Sequence, residues 1–456
     1  MSKHSSTEDV EMPGQKAEAN VSDYPETPEE DVFVDADVGP DFHGLSWQGA
    51  AVLICKSQFG LGVLGIPGTF ATLGIVPGLI SLLIISAITT FAGLEMGRFR
   101  QAHRTVHSIG DAGQLIFGPM GREVLGFFYW LYNALIIGAA MVTFSIALNT
   151  LTDHAACSIV WMTVAAAITI VVCTICRTMK YVAPFGWLGM GCLFVAVWLT
   201  AIACLAQSRP HKAPSQGPYD LGFQAFATPS FGDAMNAVAT HVLSLAGTAT
   251  FIPIHAEMRR TSDYRKALWA GQGFVVINYT LVGIVIYAKV GQYVASPAIG
   301  SAGPTVEKIG YGIALVGLMV SCLFEAHISA KYSFVRILRG TRHLQEGTMV
   351  HWLVWFFSIL VAVIVGFLIA AGVPFFGDLL GLLGSLFGVL WAMVVPGMTY
   401  LYDRDALRRV PRTWREILIA LMMLSGFFVI VGGTYGSVSA IKADYDTGSL
   451  KSAFVC

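Results

Sequence analysis

The sequence predicts an all-α integral membrane protein of about eleven spanning helices, built as two five-helix halves plus one extra helix. Three observations predict it. Hydrophobic residues make up 55% of the 456 and charged residues only 12%, too few to give a core of this size a water-facing surface. The mean hydropathy of +0.65 agrees, so the bilayer must solvate most of the chain. Apolar runs of spanning length then follow one another from residue 47 to residue 440, separated by short charged loops.

Ahead of the first run, residues 1–45 hold twelve Asp or Glu against Lys3 and Lys16, with little to bury, and are expected to form a disordered acidic cytosolic tail. The transporter-like body is expected over 46–440. Its spans fall near 47–72, 75–97, 123–150, 157–176 and 182–206 in the first half, 47–206, and near 232–256, 267–290, 310–334, 351–371 and 375–401 in the second, 232–401. The extra helix covers 414–440, and 441–456 is read as a short external tail. The connection 207–231, with four prolines, is expected to be irregular or a short surface helix. With the N-terminus placed in the cytosol, the inward loops hold eighteen Arg or Lys and the outward segments six, as the positive-inside rule requires. The net charge of -1 leaves no basic surface for nucleic acid. Cys173 and Cys176 form a C-x-x-C without a second ligand pair and read as small buried residues. No nucleophile–base set, phosphate loop, metal cluster or cofactor motif is visible, which argues against an enzyme.

The first span contains Ser57-Gln-Phe-Gly-Leu-Gly-Val-Leu-Gly-Ile-Pro67, a poor continuous helix, and the sixth contains Leu243-Ser-Leu-Ala-Gly-Thr-Ala-Thr-Phe-Ile-Pro253. Both open a five-helix half. Interrupted helices at matching positions of two halves point to an inverted-repeat transporter, because unwound backbone in the bilayer must be satisfied by protein or by a polar solute. A half-helix N-terminus suits a carboxylate and free carbonyls suit an ammonium group. An α-amino acid carries both. The expected substrate contacts are Ser57, Gly60, Leu61 and Gly62 with Ser244, Gly247 and Thr248, and a side chain placed at Gly62 is expected to occupy the site.

Trp47, Val52-Leu-Ile-Cys-Lys56 and Phe59-Gly-Leu-Gly-Val-Leu-Gly-Ile-Pro67 resemble the opening helix of the amino acid/auxin permease family. Phe251-Ile-Pro-Ile-His-Ala-Glu257-Met resembles its sixth helix, and the likeness extends over roughly 45–440, most of all to fungal neutral amino acid permeases. The resemblance implies the leucine-transporter fold and proton-coupled uptake of neutral and aromatic amino acids, with no residue here that excludes sodium. It also implies that the third helix lines the site, which adds Tyr129 and Asn133, beside Tyr132, to the expected contacts.

Ionisable groups inside spans are functional candidates. Lys56 lies nine residues past Trp47, roughly 14 Å deep, and Glu325 roughly 22 Å from the outer end of the eighth span, both at ~1.5 Å per residue. Either they form a buried pair that a proton on Glu325 releases, or Lys56 is a fixed cation where sodium-coupled relatives hold sodium, with the proton elsewhere, on His327 for instance. His241 and His255 are weaker proton candidates. Glu95 and Glu257 are expected to pair with their neighbours Arg98 and Arg259 or Arg260. The favoured function is proton symport of neutral amino acids by alternating access at the plasma membrane. The alternatives are a vacuolar exporter and an amino acid receptor signalling through the tail without flux.

Overall fold

In a computed structural model of the chain, residues 44–344, 346–372, 376–406 and 413–446 are described. The expected acidic tail lies outside them except for its last two residues. The first apolar run folds as two helices, α1 (Trp47–Lys56) and α2 (Leu61–Leu73), meeting at a 46° bend. Ser46 caps α1 by accepting from the Gly49 amide at 3.2 Å. At the bend Gly60 leaves helical geometry, with φ -149° and ψ -106°. Gly74, at φ 84°, then turns the chain into α3 (Ile75–Ala102). A Cβ at Gly74 would lie 2.6 Å from the Ala227 amide nitrogen, so this turn needs glycine both for its backbone angle and for its close approach to the outer loop.

The first half continues with α4 (Ile109–Leu151), α5 (Ser158–Ile175) and α6 (Met179–Ala206). The second half opens with α7 (Phe231–Ser244) and α8 (Thr248–Ala256), again parted by a short break. It continues with α9 (Tyr264–Val290), α10 (Pro304–Leu338), α11 (Met349–Gly372) and α12 (Phe376–Leu383). Two π-helical stretches, Gly384–Gly388 and Leu390–Val394, lead from α12 into α13 (Val395–Ala406). The extra helix α14 (Thr413–Asp446) runs past the expected end at 440. Among the described residues ten helices are long and apolar enough to cross a bilayer, and the bent α1–α2 pair makes eleven. The outside of the bundle is apolar. Val160, Val164, Ile168, Val171 and Ile175 form an exposed stripe on α5, and Leu421, Leu424, Phe428 and Val431 form another on α14. Such stripes are tolerable only against lipid.

One boundary differs from the sequence expectation. The spacing of apolar residues places the start of the third span near residue 123, but α4 begins at Ile109. Ser108 and Asp111 form a capping box there, and the helix then kinks at Gly118, with φ 70°, before Pro119. The turn-like Gly-Pro hides a short helical arm lying ahead of the span. The 207–230 connection is irregular, as expected, and its extended stretch docks on the α2–α3 turn through Ile75 N–H to Gln224 O at 3.1 Å.

The arginine-rich face is closed by long-range polar contacts. Leu45 makes a short parallel bridge with Met258, its amide donating to Glu257 O at 3.1 Å. Arg339, just past the end of α10, reaches Asp111 at 2.5 Å, and Arg336 on α10 pairs with Glu123. Glu95 pairs with Arg98, as its position one turn away leads one to expect. Glu257 does not follow that pattern. It is buried at the end of α8 and pairs with the equally buried Lys331 of α10 rather than with Arg259 or Arg260. Sequence neighbours point outward here while the helix end turns Glu257 inward.

Candidate functional site

The two helix breaks abut. A Cβ at Gly247 would fall 2.5 Å from Ser57 Oγ and 2.8 Å from Gln58 Cγ, so only hydrogen fits between them. The Tyr279 hydroxyl of α9 sits behind both, 2.6 Å from Gln58 O and 3.2 Å from Ser244 O. It stabilises backbone carbonyls that the broken helices leave without helical partners.

In front of the first break is a small cavity, where the space left between side chains, open solvent included, comes to about 480 Å³. Lys56, Ser57, Gln58, Gly60, Leu61 and Gly62 form one wall. Tyr132 and Ile136 of α4, Leu243 of α7, Ser321 and Glu325 of α10, and Leu380 of α12 complete it. It therefore combines broken-helix backbone, an apolar lining and one charge of each sign. Lys56 is 3% exposed, and its ammonium donates to Ser321 Oγ at 2.6 Å and to Gly317 O at 3.3 Å. Carbonyl and hydroxyl oxygens thus hold the cation and tie α1 to α10. Glu325 lines the same space with no hydrogen bond, and no ion pair joins it to Lys56 among the described residues. The buried Lys56–Glu325 pair that depth in the spans suggests is not formed in this conformation.

The structure brings together six of the residues singled out from sequence: Lys56, Ser57, Gly60, Leu61, Gly62 and Glu325. The others stand back from the cavity. Ser244 bonds to Thr240 O, and Thr248 bonds to Trp391 O at 2.8 Å, so both hydroxyls are used within the protein. Gly247 abuts Ser57. Asn133 is fully buried, donating to Tyr129 O at 2.6 Å, and Tyr129 is wedged between the Tyr332 and Trp391 rings. On α4 it is Tyr132 and Ile136, one turn apart, that face the cavity; the stripe drawn through Tyr129 and Asn133 is rotated from it. His327 lies elsewhere, bonded through Nδ1 to Cys176 O at 3.1 Å and set edge-on to Trp355. His241 bridges Thr69 and Ser81 on α2 and α3, and His255 stacks on Tyr264, both outside the cavity. Sequence reasoning does not reach Gln58, Ser321, Ile136, Leu243 and Leu380. Of these only Ser321 carries a usable signal, four residues before Glu325 and so on the same helical face.

Gly62 needs a correction. Its hydrogen points away from open space: a Cβ there would lie 2.7 Å from both Ser244 Cβ and the Tyr279 hydroxyl. Gly62→Leu is therefore expected to lower folded yield rather than fill the site in an intact protein. Gly60 is the position that faces the cavity, with a Cβ 3.3 Å from Ser321 Oγ and 3.6 Å from Lys56 Nζ. Gly60→Ala, the smallest change at a backbone position outside the regions that side-chain-bearing residues favour, is expected to weaken solute binding at least tenfold with a smaller loss of folded yield than Gly62→Leu. Size-exclusion profiles and binding measured on the two variants side by side check this, and normal binding by Gly60→Ala would move the site elsewhere.

Comparison with known proteins agrees with this geometry. The family described as "Transmembrane amino acid transporter protein" matches residues 43–439. A protein of Gibberella moniliformis named "Transmembrane transporter" is 33% identical over 99% of this chain and 95% of its own. The "N amino acid transport system protein" of Neurospora crassa is 28% identical over 91% of this chain and 89% of its own. Among solved structures, the nucleobase-cation-symport-1 family transporter Mhp1 in a closed conformation superposes with a TM-score of 0.56 at 15% identity, over 90% of this chain and 94% of that one. MhsT in complex with L-phenylalanine gives 0.55 at 13% identity, over 85% and 98%. These likenesses establish the leucine-transporter fold, with its two five-helix repeats and broken first and sixth spans. The family match spans the whole body of the molecule: the chain belongs to the transmembrane amino acid transporter protein family.

Proposed function

We propose that this chain is a secondary active transporter of neutral α-amino acids, large apolar and aromatic ones included, working as a proton symporter by alternating access. The observation that carries this reading is the cavity beside the two helix breaks. It offers backbone polar groups to a zwitterion, and Leu61, Ile136, Leu243 and Leu380 to an apolar side chain. The name of the Neurospora relative supports amino acids as the solute. Lys56 acts as the fixed cation, because two oxygens of α10 already hold it. Glu325 is the proton carrier, because its carboxylate lines the cavity with no hydrogen bond or ion pair among the described residues, whereas His327 is packed away from it. The plasma membrane is the proposed site, with the N-terminus cytosolic on the strength of the arginine-rich loops; protease protection of terminal tags reads the orientation.

A competition panel tests the substrate class. Leucine and phenylalanine are expected to displace bound substrate well ahead of arginine and glutamate, since the one carboxylate and one ammonium in the lining oppose each other. Arginine or glutamate outcompeting both would refute the assignment.

A further inference from the structure

Two smaller cavities follow the first toward the arginine-rich face, and one stripe of α10 lines all three. Ser321 and Glu325 face the first, Ile328 and Tyr332 the second, and Tyr332 and Val335 the third, with Arg339 just past the helix end. These residues recur every three or four positions and so share one helical face. Across from them, α4 supplies Tyr132 to the first cavity, Tyr129 to the second and Arg122 to the third. Charge stands at every level: Lys56 and Glu325, then Lys331, then Asp111 and three arginines. Empty packing defects in proteins are apolar, so a row walled with charge suits the passage of a polar solute.

Tyr332 is the partition between the second and third cavities, because it lines both. Its ring stands edge-on to Tyr129, with centroids 5.6 Å apart. Its hydroxyl makes no hydrogen bond among the described residues, so fit rather than a polar bond holds it. The seat is a notch where α4 lacks side chains. A Cβ at Gly126 would overlap the Tyr332 hydroxyl oxygen outright, and one at Gly110 would lie 2.9 Å from it. The turn at Gly118 brings these two glycines together by folding the arm Ile109–Phe117 back on the start of the span. A Cβ at Gly113 of the arm would lie 2.5 Å from Gly121 O. Asp111, next to Gly110, clamps the arm to Arg339.

We propose that solute passes from the substrate cavity to the arginine-rich face between α4 and α10, and that Tyr332 is the plug on this path, seated by Gly110 and Gly126. This deepens the transport reading and rests on it. A ring held by fit can swing aside without breaking a polar bond.

The test places a thiol behind the plug with Ile328→Cys in the full-length protein. Inside-out membrane vesicles present the arginine-rich face to a membrane-impermeant thiol reagent. Peptide mass spectrometry then reads the labelling rate at that position apart from the native cysteines. Adding Tyr332→Ala is expected to speed labelling by about tenfold or more, because the closed partition otherwise admits the reagent only through a minor open state. Adding Gly126→Ala is expected to speed it in the same sense, by pushing the ring off its seat. Tyr332→Phe removes the atom that a Cβ at Gly126 would meet, so combining it with Gly126→Ala is expected to restore slow labelling. A merely structural role for these residues would lower folded yield and leave the labelling rate of the folded protein unchanged. An unchanged rate with Tyr332→Ala overturns the proposal, and that comparison decides alone should Gly126→Ala not fold. Acceleration confined to right-side-out vesicles also overturns it, by placing the second cavity on the outer path. Wild-type protein that neither binds nor moves leucine contradicts the transport reading itself, whereas leucine transport with an unchanged labelling rate contradicts only this inference.

Discussion

Glu325→Gln is expected to abolish proton-driven accumulation while leaving exchange of amino acid across the membrane. With one proton per substrate, one unit of pH difference supports about tenfold accumulation, and the variant should fall to equilibration. The glutamine keeps the shape and neutrality of the protonated acid but cannot release a proton, so both facing states are reached with the same charge. A solute gradient can be built only if a group changes its interaction between those states. Glu325 suits that role because it lines the cavity with no hydrogen bond or ion pair among the described residues. Lys56 does not, because Ser321 Oγ and Gly317 O hold it on α10. Lys56→Met should therefore lose uptake altogether, since it removes the cation joining the broken helix to α10. Counterflow and pH-jump uptake in proteoliposomes separate the two variants. Full accumulation by Glu325→Gln would transfer the proton to another group.

Lys331→Met should be destabilising, on the order of 3–5 kcal/mol, because it takes a buried cation away from the buried Glu257 carboxylate. Glu257→Gln should fail in the same way from the other side. The double variant is expected to be less destabilised than the sum of the two singles, since the coupling between the two charges is then lost only once. Fluorescence size-exclusion and thermal unfolding in detergent read this directly. Its value is in where the pair lies: it joins the end of the second broken helix to α10 beside the Leu45–Met258 bridge. A double variant that folds but transports poorly would mark the pair as part of the closure on the arginine-rich face. Destabilisation of the double variant equal to the sum of the two singles would show that the two charges act independently.

Much of this architecture is legible in sequence because the bilayer imposes it locally. Apolar length sets the spans, and glycine with proline sets the breaks, so the interruptions between α1 and α2 and between α7 and α8 are visible in the residues themselves. Depth marks Lys56 and Glu325 as candidates, and their convergence on one cavity also needs the first and eighth spans to be neighbours, which depth does not give. Rotation about a helix axis is not encoded so simply. Tyr129 and Tyr132 are both aromatic and three residues apart, and only packing against Trp391 and Tyr332 decides which one faces the cavity. Glu257 misleads for a related reason. Its arginine neighbours are adjacent in sequence, while Lys331 is 74 residues away and adjacent only in the fold. Gly62 looks like a place where backbone meets solute, but the crossing with α7 needs it.

The most direct test is uptake of radiolabelled leucine by proteoliposomes containing the purified full-length protein, in sodium-free buffer, with and without an imposed pH gradient. Proton symport through this cavity predicts accumulation above equilibrium only when the gradient is present, and its loss in Glu325→Gln. Binding of leucine without flux, or accumulation driven by sodium at clamped pH, would contradict it.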